Sequence, residues 1–480
     1  MRLDLLLERI EVVSVRGDTS RVVLRVSENS RDVDWQTAFV AVVGAAVDGH
    51  RFASGLDCAV VVAERPVEPS DGVPVVLVKD SRKALAKMAA TLEGNPSQSL
   101  SVVGITGTNG KTTTSWILES ILRAAGRRVG VIGTTGHRLL DECLPASFTT
   151  PPAPQWQGLL RQMRDSRCEF AVTEVSSIAL DSKRVSETRF EVGVFTNLSR
   201  DHLDYHGTME AYAASKGLLF GEHLAEGGHA VVPERSPELD DVLCARGDLR
   251  IWRYGLVGGD VFPRQLELSA RGSHGLVTTP SGNFAMELPL LGEHNVLNAL
   301  AAATAALSVG ISVDAIARGI QQVPVIPGRM EPVDGGSDLT VLVDYAHTPD
   351  ALLHALEGLR PLTTGRLMVV FGCGGDRDPG KRPEMGRVAC EKADWVCATS
   401  DNPRTENPES ILEGVRRGLD DSALVIVDRQ EAIEQAVRAA TPEDVLLIAG
   451  KGHEQYQEVN GVRLPFDDRA VASAAMRGRA

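Results

Sequence analysis

Short apolar runs alternate with longer amphipathic stretches along most of this chain. From residue 100 to about 325, and again after residue 327, strand-like runs are separated by stretches with helical spacing of their apolar positions. This alternation is typical of a parallel sheet with crossover helices. Strands buried on both faces are expected at residues 100–105, 340–343, 367–371, 395–398 and 445–449.

Two breaks in this pattern divide the chain into three regions. A polar stretch at residues 93–99 follows a β-rich beginning with runs at residues 22–24, 39–43, 60–62 and 75–78, and a Pro/Gly-rich stretch at residues 323–329 marks a second hinge. A length of 480 residues also suggests about three domains. We therefore predict an α/β protein with domains at residues 1–98, 99–326 and 327–480.

Composition narrows the class of protein. Hydrophobic residues make up 43% and charged residues 24% of the chain, which is ordinary for a soluble globular protein. The longest apolar runs are too short to span a bilayer, and the N-terminus lacks the features of a signal peptide. Seven scattered cysteines without a Cys-x-x-Cys pair argue against a disulfide framework or a zinc site. A net charge of −14 without a basic block argues against nucleic-acid binding. We expect a cytoplasmic protein, without membrane insertion, that acts on small molecules.

A glycine-rich loop follows the expected strand at residues 100–105. It leads into a helix whose apolar positions share one face, and Gly126 is placed to end that helix. Backbone N–H groups of such a loop cradle phosphates, Lys111 reaches the β/γ oxygens, and the Thr112 hydroxyl can ligate Mg²⁺. The predicted ATP-binding residues here are Gly107, Thr108, Asn109, Gly110, Lys111, Thr112 and Thr113.

The spacing of this loop departs from the strict P-loop pattern. Ile105 stands five positions before Gly110, and the earlier glycines are at 104 and 107. This variant resembles the Mur ligases and the related folylpolyglutamate synthetases. Further motifs in the family's order lie at residues 149–151, 174–177, 196–207, 294–299, 327–331, 343–352, 371–378 and 449–454. Together they resemble the Mur ligases that add the third amino acid of the peptidoglycan precursor.

This resemblance implies a small α/β UDP-binding N-domain, a central P-loop ATPase domain with a parallel sheet, and a Rossmann-like C-terminal domain. It also implies an activity. The γ-phosphoryl group of ATP would activate the D-glutamate side-chain carboxylate of UDP-MurNAc-L-Ala-D-Glu as an acyl phosphate, which the incoming amine attacks. The expected partners are these small molecules, and a monomer is expected.

The resemblance also carries over site residues. Lys111, His202 and Lys216 match catalytic positions, and Thr112, Glu174, His202 and Lys216 match a Mg²⁺ site, expected to hold two ions, in which Lys216 bears a CO₂-derived carbamate. Asn295, Arg329 and Asp344 match further ATP contacts. The muramyl substrate would contact Ser30, Thr149, Thr150, Ser176, Ser182 and Arg184. Taken singly, most of these would be surface or turn residues, and each hydroxyl could simply cap a local turn.

The choice of amino acid depends on residues 401–404. Asp-Asn-Pro is ordinarily a turn, but Arg404 could bind the far carboxylate of meso-diaminopimelate through two parallel hydrogen bonds. The predicted diaminopimelate-binding residues are Arg377, Asp401, Asn402, Pro403, Arg404, Gly450 and Glu454. A lysine-adding or folylpolyglutamate-synthetase-like ligase is the alternative enzyme, and a non-catalytic scaffold is the alternative from another class.

The chain departs from the family's pattern at several positions. Ile178 stands where a histidine is usual, which puts one hydrogen bond near the expected metal site in doubt. Ser182 replaces a common glutamine, and residues 45–47 replace a polar segment on the uridine side.

Overall fold

The structure, a computed structural model, describes residues 1–44, 47–269, 272–336 and 338–479. Residues 45 and 46, two of the three residues that replace the family's polar segment on the uridine side, lie outside these ranges. Separate sheets occupy the three predicted regions, in agreement with an α/β fold of three domains. The predicted boundaries, 98/99 and 326/327, fall in connecting segments between the sheets and remain predictions.

The N-terminal sheet has five strands in the order β1-β5-β4-β3-β2, and only β1 is antiparallel to its neighbour. Of the four β-rich runs, residues 22–24 form no strand of this sheet, and the Val23 N–H donates to the Met1 carbonyl. The elements are α1 (Leu3–Leu7), β1 (Val12–Arg16), β2 (Arg25–Ser27), β3 (Thr37–Val40), β4 (Val60–Ala63), β5 (Val75–Val78) and α2 (Ser81–Leu92).

Ion pairs attach the N-terminal domain to the central one, and two of them lie next to helix α5 (Ser177–Asp181) of the central domain. Lys183 pairs with Asp80, which also caps α2, and Lys87 of α2 pairs with Glu187. These contacts bring the N-terminal domain against the segment that follows α5 of the central domain.

The central sheet has eight strands in the order β13-β12-β11-β6-β10-β7-β8-β9, all parallel except β8 and β9. Its elements are β6 (Ser101–Thr106), α3 (Lys111–Ala124), β7 (Val129–Ile132), β8 (His137–Leu139), β9 (Glu142–Leu144), α4 (Ala153–Asp165), β10 (Phe170–Glu174), α5 (Ser177–Asp181), β11 (Phe190–Phe195), α6 (Leu203–His206), α7 (Met209–Leu218), β12 (Leu224–Pro233), α8 (Asp240–Ala245), β13 (Arg250–Tyr254), α9 (Glu293–Ser308) and α10 (Val313–Gln321).

A three-stranded antiparallel sheet interrupts the expected parallel pattern of this domain. Its strands are β14 (Phe262–Ser269), β15 (Gly272–Thr279) and β16 (Gly282–Leu288). In β16, Phe284, Met286 and Leu288 are buried while the residues between them are exposed. This period of two is typical of an antiparallel sheet with one face on the core, so a purely parallel domain was too simple a prediction.

The C-terminal sheet has six strands in the order β17-β18-β22-β19-β20-β21, parallel except for β17. Its elements are β17 (Glu331–Pro332), β18 (Thr340–Asp344), α11 (Pro349–Leu359), β19 (Leu367–Cys373), α12 (Lys381–Lys392), β20 (Trp395–Ser400), α13 (Pro408–Arg416), β21 (Leu424–Val425), α14 (Arg429–Ala439), β22 (Val445–Ala449), a hairpin of β23 (Tyr456–Val459) and β24 (Val462–Pro465), and α15 (Asp468–Arg477). The four buried strands expected here are confirmed.

Short irregular helical turns complete the described chain. They lie at Ser30–Asp32, Gly49–Phe52, Pro96–Gln98, Pro237–Leu239 and Arg360–Leu362, with a π-helical turn at Leu219–His223. Over the described ranges, every helix is too short or too polar to cross a bilayer.

Candidate active site

The strand order brings three loops of the central domain together. Strands β11, β6 and β10 are neighbours in the sheet, and their carboxyl ends lead into the glycine-rich loop, Glu174 and residues 196–202. Because ligands of open α/β sheets bind at the carboxyl ends of the strands, this edge is the expected site.

The glycine-rich loop is tightly packed where it turns into α3. Gly107 has φ of +143°, and a Cβ there would lie 1.9 Å from the Thr196 hydroxyl oxygen. Gly110 precedes α3 with φ of +85°, and a Cβ there would lie 2.2 Å from Oδ1 of Asn298. Both positions therefore require glycine. The loop presents the N-terminus of a 14-residue helix, which favours phosphate binding.

Lys111 lies at the first position of that helix. Its ammonium donates to the carbonyls of Gly107 and Thr108 at 2.7 and 2.8 Å. Burial lowers the pKa of Lys111, and the carboxylates of Glu174 and Asp201 oppose this shift. A cation held against the loop backbone is placed to meet phosphate oxygens.

Glu174, the last residue of β10, is fully buried. Its carboxylate accepts hydrogen bonds from the Thr112 hydroxyl at 2.9 Å, the Thr134 hydroxyl at 2.7 Å and the Thr134 N–H at 3.1 Å. A surface ion-pairing glutamate is thereby excluded. The structure joins this acid directly to the threonine that follows Lys111.

Lys216 lies on α7, whose N-terminus is capped by the Thr208 hydroxyl. It is 1% exposed, and its ammonium nitrogen lies 4.2 Å from the centre of the Tyr212 ring. Burial, together with nearby Lys111, lowers the pKa of Lys216 well below its ordinary value. Among the described residues it makes no ion pair, so its surroundings disfavour the charged ammonium.

His202 is close enough to Lys111 and Lys216 for both cations to affect its pKa. It has a left-handed backbone with φ of +54°, and burial and the neighbouring cations lower its pKa to about 4, against the opposing charge of Asp201. Its Nε2 lies 3.5 Å from the Asp201 carboxylate. A non-glycine residue held in this conformation is a feature found at functional sites.

The donors around Lys111 suit a hard cation, although they are few. Thr112, Glu174 and His202 offer a hydroxyl, a carboxylate and an imidazole, and Glu174 lacks a cationic partner within ion-pair distance in the described part of the chain. No group of three or more His, Cys, Asp or Glu side chains arranged for a metal ion occurs within that part. A neutral lysine converted to a carbamate would supply a further oxygen ligand.

The hinge before the C-terminal domain reaches back to the phosphate loop. A guanidinium N–H of Arg329 donates to the Thr112 hydroxyl at 3.2 Å, and the guanidinium lies 4.8 Å from the centre of the Tyr345 ring. Asp344 accepts from the N–H groups of Met330 and Ala346 at 2.8 Å each, so it fixes the hinge backbone. Burial raises the pKa of Asp344, and Arg329 opposes this.

In the C-terminal domain, the carboxyl ends of β18, β22, β19 and β20 are adjacent. They lead into Asp344, Gly450, Gly374 and Asp401 respectively. A cavity of about 480 Å³ separates this edge from the phosphate loop, and residues of both domains line it.

Two of the loops at that edge are joined through Asn402. Its amide donates to the Glu454 carboxylate at 2.7 Å, and its carbonyl accepts from the buried Lys451 ammonium at 3.1 Å. Burial alone would raise the pKa of Asp401, but Lys451 and Arg429 outweigh it and lower that pKa. The loop thus contains an ionised acid and an oriented amide.

Arg404 differs from Asp401 and Asn402 because its side chain has no charged partner among the described residues. It has φ of +52°, and its guanidinium donates to the Gly375 carbonyl at 2.6 Å. Arg377 donates to its neighbouring Asp376 carbonyl. In the described ranges neither guanidinium pairs with a carboxylate, and both line the cavity. Two cations without an anionic partner are suited to bind a substrate carboxylate.

The predicted muramyl-binding residues are less closely grouped. Thr149 and Ser176 line the cavity, whereas Ser30, Thr150, Ser182 and Arg184 do not. The hydroxyl of Ser176 caps α5, and that of Ser182 bonds the Ile178 carbonyl, which is the ordinary role of such residues. Arg184 donates to the Thr150 carbonyl. Next to Ile178, a different imidazole, that of His206, contacts the Ser177 hydroxyl at 3.0 Å.

Several residues of the cavity were missed by the sequence interpretation. Burial alone would raise the pKa of Asp201, but His347, His202 and Lys381 lower it well below its ordinary value. The Arg200 guanidinium also donates to Asp378 across the domain interface at 2.9 Å. All of these lie within or beside recognised motifs, but their contacts join distant segments, so no local signal marked them.

A phosphate-binding loop that faces a second α/β domain across a cavity of cations and buried acids defines a nucleotide-dependent ligase. The chain belongs to the Mur ligase family, a group of ATP-dependent enzymes that form amide bonds. The family's middle domain matches residues 105–306, and its glutamate ligase domain matches residues 328–452.

Relatives of known name extend over the whole chain. A UDP-N-acetylmuramoyl-L-alanyl-D-glutamate–2,6-diaminopimelate ligase of Geobacillus kaustophilus is 44% identical, covering 95% of each chain. A solved structure of an enzyme with the same name is 34% identical with a TM-score of 0.70, covering 100% of this chain and 99% of the other. The MurF ligase of Thermotoga maritima in complex with ADP is 21% identical with a TM-score of 0.67, covering 95% and 98%, which shows the shared fold.

Proposed function

We propose that this ligase joins meso-diaminopimelate to the D-glutamate γ-carboxylate of UDP-MurNAc-L-Ala-D-Glu, with conversion of ATP to ADP and phosphate, in peptidoglycan synthesis. The observation that carries the choice of amino acid is Arg404, a cavity-lining guanidinium that lacks a carboxylate partner within the described residues. Lysine has no second carboxylate for this cation. The printed names of the full-length relatives support the same substrate.

The reaction divides into two balanced steps. An oxygen of the glutamate carboxylate attacks the γ-phosphorus of ATP, the bond to the bridging oxygen breaks, and ADP leaves. The amine nitrogen then attacks the acyl carbon and loses a proton, and the C–O bond to phosphate breaks. Lys111 and Arg329, which approach the phosphate loop from the two domains, would neutralise phosphate charge in the first step.

We further propose that Lys216 is carbamylated. Its neutral amine can form an N–C bond with CO₂ and release a proton, which leaves a carboxylate-like group where a buried ammonium would be unfavourable. With Thr112, Glu174 and His202, this group would hold two Mg²⁺ ions. Bound Mg²⁺ would offset the repulsion between the substrate carboxylate and the triphosphate.

The remaining assignments follow from where the residues lie. Thr149 and Ser176, on the cavity wall, would contact the peptide arm, and Ser30, Thr150, Ser182 and Arg184 would extend this surface toward the N-terminal domain. In support of this path, the carboxylate of Glu28, two residues before Ser30, is close enough to influence the pKa of Arg184. Asn295 and Asp344 would contact the nucleotide.

We further propose that a monomer is active, in the cytoplasm where ATP is available, and without nucleic acid.

The test is a ligation assay on the purified chain with UDP-MurNAc-L-Ala-D-Glu and ATP, in which product mass and phosphate release are measured. Diaminopimelate should exceed L-lysine in kcat/KM by at least about tenfold, since about 1.5 kcal/mol is the lower value for a hydrogen bond to a charged group. Equal use of the two amines would contradict the choice of diaminopimelate. Ligation of lysine alone, or ligation only with a folate acceptor, would support the alternatives. Absence of any coupling would contradict the proposed reaction.

A further inference from the structure

An ion pair between Arg429 and Asp468 lies buried behind the amino-acid loops of the C-terminal domain. These are the first residues of α14 and α15, and both side chains are 0% exposed. The guanidinium donates to the two carboxylate oxygens at 2.8 and 2.7 Å.

The other N–H groups of Arg429 bind two backbone carbonyls. One donates to Ser400 at 3.2 Å and another to Ala449 at 3.1 Å. Ser400 ends β20 and Ala449 ends β22, and the next residues are Asp401 and Gly450, where both chains enter the cavity.

These strands are not neighbours in the sheet. Strand β19 lies between them, so no ladder of backbone hydrogen bonds joins the two strand ends directly. A single planar guanidinium spans the gap instead. Its fork geometry fixes direction as well as distance, which the flexible ammonium of a lysine would not do.

The residues that follow these two strand ends lie close together. Gly450 has φ of +117°, and a Cβ there would lie 2.5 Å from a carboxylate oxygen of Asp401. The hydrogen bond of 2.7 Å between Asn402 and Glu454 connects the same two loops. A shift of either strand end would therefore separate the groups that face the cavity.

A stabilising role alone is a weak explanation for such a pair. Removing two charges from water costs several kcal/mol, and apolar residues of similar volume often replace buried pairs without loss of stability. The ion pair orients the Arg429 guanidinium so that its remaining N–H groups bind two loops of one binding site.

We propose that Arg429, oriented by Asp468, is a positioning residue for the incoming amino acid. It sets the separation between the loop at residues 401–404 and the loop at residues 450–454. The identity of the amino acid in this inference rests on the proposed function. The existence of a site for an incoming amine does not.

The test compares Arg429→Met and Arg429→Lys with the unaltered enzyme. We measure kcat, the KM values for diaminopimelate, ATP and the muramyl nucleotide, and Tm. Because small displacements of substrate-positioning groups cost up to about 100-fold, the KM for diaminopimelate should rise at least about tenfold in both variants. The KM values for the other two substrates should stay within about twofold.

A matched control lies at the other end of the same sheet. Arg366 and Asp444 form an ion pair of 2.7 Å directly before β19 and β22. Arg366→Met should lower Tm while the KM for diaminopimelate stays unchanged. This comparison separates general weakening of the domain from displacement of the site.

The proposal is overturned if Arg429→Met lowers Tm but leaves the KM for diaminopimelate unchanged, or if all three KM values rise equally. If that variant does not fold, Asp468→Asn, which retains the guanidinium, is subject to the same criteria. Should the unaltered enzyme reject diaminopimelate, the proposed function fails by itself. The same measurements with the amine that it does accept would then test the positioning role.

Discussion

Replacement of Arg404 by methionine removes a cation from the cavity with little disturbance of the fold. Methionine retains most of the apolar stem, and because it is unbranched at Cβ like arginine, its cost for the left-handed backbone with φ of +52° is similar. The N–H of residue 404 donates to the Glu458 carbonyl, and its carbonyl accepts from the Asn460 N–H. These backbone contacts remain in the variant, so the loop should keep its place.

The size of the effect follows from the contacts that the guanidinium can offer. One nitrogen already donates to the Gly375 carbonyl, and the group pairs with no carboxylate in the described residues. A bound carboxylate would accept two charge-assisted hydrogen bonds, each contributing about 1.5 kcal/mol in a half-buried site. A loss of about 3 kcal/mol corresponds to about 150-fold in kcat/KM for diaminopimelate. Arg404→Lys, which keeps one contact, should lose about tenfold.

The assay measures kcat/KM for diaminopimelate and for L-lysine in parallel. Lysine lacks the far carboxylate, so its kcat/KM should change by less than about twofold, and the preference between the two amines should narrow. Arg416→Met is the control, because Arg416 is exposed on α13 of the same domain and, among the residues that the structure describes, its one ion pair is with Glu413 at 3.9 Å. It should leave both values unchanged.

Two results would refute this reasoning. A loss of less than about threefold for diaminopimelate would show that the guanidinium does not bind the far carboxylate. An equal loss for both amines would show that Arg404 supports the loop or the reaction itself and does not select the substrate.

Three further predictions concern the phosphate loop and the residues around it. Lys216→Ala should reduce kcat by at least about 1,000-fold, and ¹³C NMR of the unaltered enzyme in ¹³C-bicarbonate should show a carbamate signal that the variant lacks. Gly107→Ala should raise the KM for ATP at least about tenfold in an ATPase titration, because its Cβ would lie 1.9 Å from Thr196; an unchanged KM would contradict the close packing. Arg329→Met should lower kcat by about 100-fold or more, with a smaller change in nucleotide affinity measured by calorimetry, since the guanidinium reaches Thr112 from the other domain. A loss of nucleotide affinity with kcat unchanged would instead assign Arg329 to ground-state binding.

Local signals in the sequence were sufficient for features that depend on neighbouring residues. The apolar run before the glycine-rich loop predicted β6, the spacing of apolar residues predicted α3, and Gly126, with φ of +75°, ends that helix as expected. The buried C-terminal strands were also predicted, because short apolar runs bounded by polar or turn residues favour strands that are buried on both faces. The antiparallel strands β14 to β16 were missed because their alternating pattern is weaker than such a run.

The amino-acid sequence by itself therefore determined the α/β class, the phosphate loop and the motifs that resemble the Mur ligases. Only the tertiary structure decided which of these motifs meet. Packing across the intervening strand β19 places Asp401 beside Gly450, and the hinge brings Arg329 to Thr112 across more than 200 positions of the chain. The lowered pKa of Lys216 likewise depends on burial among distant residues. Contacts of this kind depend on three-dimensional packing, and residue spacing along the chain carries no direct record of it.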